Sequence, residues 1–261
     1  MSVLLMRLAG PMQSWGTRSR FGHRDTDLEP GKSAVIGMLC AALGWPREAA
    51  HYEIAGQSYS LEDFARCLTM AVRVDREGRL GRDYHTVGAE PHDGAVLGQY
   101  PDGRNKGRPR PYGVRKADDS GVGVVVSERY YLADAEFLVG LAADRVLLER
   151  LDGALRRPVW PLFLGRKAFL PALPISEGVF EGDLMPVLIE WPRQMRGGEK
   201  PPGSLRFVCD AAYGAGEPRS DLPLSFVSRD RRFGVRHVLT EYHPLPQPRP
   251  EPPDVSEQPG H

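Results

Sequence analysis

Hydrophobic positions divide the chain into stretches of different period. Ser2 to Leu8 is a short β-prone run that Gly10-Pro11 ends. From Ser33 to Leu43 the apolar residues Val35, Ile36, Leu39, Ala42 and Leu43 share one helical face, with Ser33 as the cap and Gly44 as the stop. Leu61 to Cys67 reads as a short helix, and Thr69 to Asp75 alternates as a half-buried strand. Between Arg76 and about Gly123 the periodicity disappears into glycine, proline and charge, which predicts a long inserted arm. Order returns with a strand at Val124 to Leu132, a turn at Ala133-Asp134 and a strand at Glu136 to Leu141. Asp144 then caps a helix carrying Val146, Leu147, Leu148, Leu151 and Leu155. Trp160 to Leu164 is expected as a buried strand stopping at Gly165, and later short strands at Leu184 to Glu190, Ser204 to Cys209 and Val235 to Tyr242.

With the arm left out, the order is strand, helix, strand, strand, helix, strand. That is the split βαβ of an α+β, ferredoxin-like or RRM-like sheet. The expected organisation is therefore a ferredoxin-like domain over residues 1–175 with the arm 76–123 inserted, then a small β subdomain over 176–243. Residues 244–261, with seven prolines among 18 positions, are expected to be an extended or disordered tail.

Composition narrows the chemistry. Lys plus Arg equals Asp plus Glu at 34 each, so any polyanion site must be a local patch. Cys40, Cys67 and Cys209 are far apart and without a CxxC pair, which suits reduced structural thiols in a cytoplasmic protein and predicts neither a metal site nor another cofactor. No apolar run approaches the length of a membrane span, and the N-terminal stretch does not read as a signal peptide.

Local patches do exist. After Gly165 the adjacent cations Arg166 and Lys167 turn outward between two apolar anchors, Trp160–Leu164 and Phe169–Pro174, a setting suited to phosphate. The first 24 residues carry four arginines and no acid, with Trp15 among them as a stacking platform or, alternatively, a plug for the core. Gly31-Lys32-Ser33 imitates the end of a P-loop but has Thr26 where that motif needs glycine, which leaves Lys32 as a candidate phosphate contact at a helix start. Arg104 to Lys116 holds six cations and no acid, and SRDRRFGVRH adds Arg229, Arg231, Arg232 and Arg236 around Phe233.

Five segments in order, LMRLAGPMQSWG, GKSAVIGMLCAALG, DYHTVGA, RYYLADAEFLVGL and LFLGRKAFLPA, resemble the CasD family, the fifth CRISPR-associated family in its subtype I-E form. The resemblance runs from residue 1 to about 243. It implies a member of the repeat-associated RNA-binding (RAMP) superfamily: a ferredoxin-like domain, a basic thumb at 76–123, and a glycine-rich loop at Leu164 to Lys167. It further implies a subunit of the Cascade surveillance complex that holds the 5′ handle of crRNA, contacts the CasC backbone subunit and the CasA large subunit, and meets target DNA only through the complex. For such a role the candidate stacking or base-edge contacts are Trp15, Tyr84, His85 and Tyr112. The candidate phosphate contacts are Lys32, Arg108, Arg110, Arg115, Arg129, Arg166, Lys167, Arg231 and Arg232. No catalytic residue is expected. The rival is a metal-independent endoribonuclease acting on repeat RNA, as in a sister subtype, for which Tyr84, His85 and Lys116 are the right residue types.

Overall fold

The structure, a computed structural model, describes residues 1–16, 19–20, 22–87, 114–115, 122–123, 125–195 and 202–244. In chain order it contains β1 (Ser2–Ala9), β2 (Met12–Gln13), β3 (Ser19–Arg20), β4 (His23–Arg24), α1 (Lys32–Leu43), β5 (Tyr52–Ile54), β6 (Gln57–Tyr59) and α2 (Leu61–Cys67). There follow β7 (Thr69–Arg76), β8 (Arg79–Val87), β9 (Val114–Arg115), β10 (Val122–Gly123), β11 (Val125–Ala133), β12 (Glu136–Ala143) and α3 (Arg145–Arg156). The last elements are β13 (Ser176–Glu181), α4 (Leu184–Glu190), β14 (Ser204–Ala211), β15 (Glu217–Ser225) and β16 (Arg232–Pro244).

Seven strands form one antiparallel sheet in the order β13-β1-β12-β7-β14-β16-β15. β1 is apolar at most positions because it is buried on both faces: Leu4, Met6 and Leu8 join the core under α1 and α3, while Val3 and Leu5 join the core under α4. Sites on that second face that are not apolar are neutralised internally. Arg7 pairs with Glu136 at 2.7 Å and with Glu177, and Arg73 chelates Asp75 and donates to the Trp191 carbonyl at 2.7 Å.

The described strands of residues 176–243 do not make a sheet of their own. β13 becomes the strand beside β1, and β14, β16 and β15 extend the same sheet beyond β7. The fourth strand expected at Trp160–Leu164 is a non-strand segment, and its place is taken by β13. The physical reason lies at the end of α1: Val159 N–H donates to the Ala42 carbonyl at 2.9 Å and Trp160 N–H to the Ala41 carbonyl at 3.2 Å. That segment thus satisfies carbonyls that every helix leaves open, rather than pairing with a strand. Leu184–Glu190 is the helix α4 and not a strand, laid over β12 where Gly140 leaves room for Leu184 and Leu188. Ser33 is not the cap of α1 either: Gly31 occupies the N-cap position, and the carboxylate of Asp221 accepts the Lys32 N–H at 2.8 Å.

Candidate nucleic-acid interface

The start of the expected arm is ordered. β8 pairs with β11 from Arg79 opposite Ala133 to Val87 opposite Val125, making a two-stranded ribbon, with β2 and β4 on the other side of β11. Its sequence shows no alternation because most β8 residues are exposed on both faces, so no buried side has to be apolar. Cross-strand pairs put Asp83 beside Arg129 and His85 beside Ser127 on one face, and Tyr84 beside Glu128 and Arg82 beside Tyr130 on the other. Tyr131 lies over Gly81 and meets Phe169 with ring centroids 6.0 Å apart, which turns the Asp83–Arg129 face toward the Gly165 turn.

That turn is clamped. Ser14 N–H donates to the Leu164 carbonyl at 3.0 Å, Leu164 N–H to the Phe169 carbonyl at 2.8 Å, and Phe169 N–H to the Arg166 carbonyl at 2.9 Å. Gly165 has φ +93, and a Cβ there would collide with the Ser14 carbonyl, so two backbones approach where only glycine fits. Leu164 and Phe169 anchor the turn in the core, and Lys167 is exposed.

Arg166 donates from Nη2 to the Tyr130 carbonyl at 2.8 Å and stands 5.5 Å from the centre of the Phe169 ring. Its Nη1 is buried without a hydrogen-bond partner. Burial first, and then the charge of Arg129, push its pKa down; Asp83 opposes this and Arg24 adds to it. Arg166 Nη2 also stands 3.4 Å from the Arg24 carbonyl, and Arg24 is paired with Arg129 across β4 and β11, so three arginines gather at the turn with the carboxylate of Asp83 opposing them, which favours an arriving anion. Arg24 was not distinguishable from its basic neighbours in sequence; its pairing with Arg129 across β4 and β11 is what brings it in.

The remaining candidates divide. Tyr84 (66% exposed) and His85 are presented by β8, and His85 stands 3.3 Å from Asp83. Arg231 and Arg232 are exposed on a separate loop and strand start, Arg232 pairing with Asp230 at 3.2 Å. Two candidates are corrected. Trp15 is 2% exposed and packs edge-on against Phe137, so it is a plug of the core and not a surface stacking platform. Lys32 is 5% exposed with its Nζ 2.6 Å from Asp210, so its charge is consumed inside the protein. Arg236, in the predicted basic cluster near Phe233, is likewise buried against Asp221 and Asp210. Arg108, Arg110, Tyr112 and Lys116 lie outside the described residues, as does the side chain of Arg115. Among the described residues no group of three His, Cys, Asp or Glu side chains is placed to hold a metal ion, and no helix is long and apolar enough to cross a membrane.

Over residues 3–239 the sequence matches the family described as CRISPR-associated protein (Cas_Cas5). The chain belongs to that family. A curated relative, the CRISPR system Cascade subunit CasD of Escherichia coli (strain K12), is 30% identical over 185 residues, covering 69% of this chain and 70% of the relative. A solved structure titled CRISPR RNA-guided surveillance complex contains a chain that superposes with a TM-score of 0.68 at 31% identity, covering 94% of this chain and 91% of its own. A second, titled crystal structure of Cas protein, gives a TM-score of 0.65 at 35% identity, covering 95% of this chain and 100% of its own. The clamped turn and the ribbon root thus belong to a Cas5-family chain with a mixed α/β architecture shared with those structures.

Proposed function

We propose that this chain is a non-catalytic subunit of a type I-E Cascade surveillance complex, where it binds and caps the 5′ handle of crRNA in support of antiviral defence. The observation that carries the reading is the gathering of Arg166, Arg129 and Arg24 at a clamped turn at the root of an exposed ribbon, where Arg166 donates to the Tyr130 carbonyl at 2.8 Å and approaches the Arg24 carbonyl at 3.4 Å, and Arg24 pairs with Arg129 across β4 and β11. Phosphates of a single strand relieve that crowding, and exposed Tyr84 gives a base a ring to stack on. The strand order β13-β1-β12-β7 with α1 and α3 on one face is the ferredoxin-like arrangement, which supports the RAMP assignment. The ribbon β8–β11 is the stem of the basic thumb, and CasC and CasA are the proposed protein neighbours, as the family resemblance implies.

The nuclease reading fares worse. Tyr84 and His85 are consecutive on β8 and point to opposite faces of the ribbon, so they do not converge on one phosphate. The test is to co-purify the tagged full-length chain with its complex and sequence the protected RNA. A common 5′ end shared by all protected RNAs is expected; random RNA, or none, overturns the proposal.

A further inference from the structure

Behind the cationic turn lies a cavity of about 410 Å³, inside the range of about 300–1,000 Å³ typical of small-molecule sites. Its walls include Trp160, Phe163, Phe226 and Phe233, with Arg47 and Arg231 also lining it, and no acidic residue among the lining side chains. Ala34, Gly37 and Ala41 supply the α1 side, where small side chains keep the space open. The cavity shares Ser14 and Gly165 with the clamped turn, so it borders the turn that carries Arg166 and Lys167. Trp160 is 43% and Phe233 41% exposed, large rings kept at the surface.

The geometry points to a seat for one unstacked nucleobase of the single strand whose phosphates sit on the Gly165 turn. Flat aromatic walls match a flat base, and two arginines with no opposing acid match the phosphates that flank it. An apolar peptide side chain would use the rings but leave both arginines without a counter-charge, so the nucleotide fits better than a protein anchor. The inference rests on the RNA-binding reading above and adds to it a discrete base site, separate from the ribbon.

The experiment uses the full-length chain and single-stranded repeat RNA in which abasic nucleotides are scanned one position at a time. Wild-type protein should show one position where loss of the base weakens binding by about tenfold, as for a stacked base. Trp160→Ala with Phe233→Ala should abolish that position-specific penalty and leave the salt dependence unchanged. Ala34→Phe, which fills the cavity from the helix side, should do the same, and circular dichroism of both variants establishes folding. A penalty that persists in the cavity variants overturns the base seat while leaving RNA binding intact. Loss of co-purifying proteins with an unaltered abasic profile also overturns it, assigning the cavity to a protein. Absence of any RNA binding by the wild type defeats the underlying reading before a variant is compared.

Discussion

Arg166 reaches the main-chain carbonyl of Tyr130 at 2.8 Å, which ties the cationic turn to the strand at the root of the ribbon. The two candidate surfaces are therefore one rigid unit. A preformed site loses less entropy on binding than one that must be ordered.

Reversal of Arg166 and Lys167 to Glu should accordingly weaken binding of handle RNA and flatten its salt dependence by roughly 0.7 log units for each phosphate no longer neutralised. The control is Arg150 and Arg157, exposed on and just after α3, reversed at equal charge change. Salt titrations of the two variants decide the matter. An unaltered slope for the turn variant would make that turn purely structural.

Gly165→Ala should disturb the same site through the backbone. Positive φ costs a non-glycine residue roughly 1–3 kcal/mol, and the added methyl also meets the Ser14 carbonyl. At Gly153 in α3 an added methyl would meet nothing within 4 Å, so Gly153→Ala should instead stabilise by roughly 0.5–1 kcal/mol. Denaturant melts of the pair should move in opposite directions, with RNA binding lost only in the first.

Acid sensitivity is expected at the capped end of α1. Burial, the largest single influence, would raise the pKa of Asp221, but the hydrogen bonding and charge of Arg236, the Lys32 N–H and the charge of Arg219 together outweigh it and hold the carboxyl below its ordinary 3.8. Because the folded pKa is depressed, the stabilisation is present above that ordinary value and is lost as pH falls through the folded one. Asp221→Asn removes one partner of a buried pair and should cost about 3–5 kcal/mol at neutral pH. The gap from wild type should narrow below pH 3.8, which melts across that range would show.

Repeat RNA should survive incubation with the isolated protein in the presence of a chelator, and His85→Ala should change nothing. A discrete cleavage product that vanishes in this variant would revive the nuclease reading.

Much of the frame was legible in the sequence. β1, α2, β7 and α3 follow from local periodicity and caps, with Asp144 accepting from Val146 N–H at 2.9 Å as its position predicts. What was hidden depends on partners far along the chain. Lys32 looks like a phosphate ligand until Asp210 and Asp221, 178 and 189 residues away, are brought to it by β14 and β15. The Trp160 segment is apolar for two reasons a window cannot separate: Leu162 and Leu164 fill the core, while Trp160 itself stays half out. The turn itself was readable because Gly, Arg and Lys stand between apolar anchors, but its crowding by Arg24 and Arg129 exists only after β4 and β11 pair.

The position of β16 inside the sheet bears on the order in which the chain is made. It is the last described strand to leave the ribosome, yet it lies between β14 and β15 rather than at an edge. Until Ser204–Ala211 has been synthesised, β7 keeps an open hydrogen-bonding edge, and until Arg232–Pro244 follows, β14 and β15 have no partner between them. An unpaired edge of that kind invites association with other chains. Termination anywhere before β16 should therefore yield a sticky fragment rather than a smaller working protein, because only β16 closes the gap between β14 and β15.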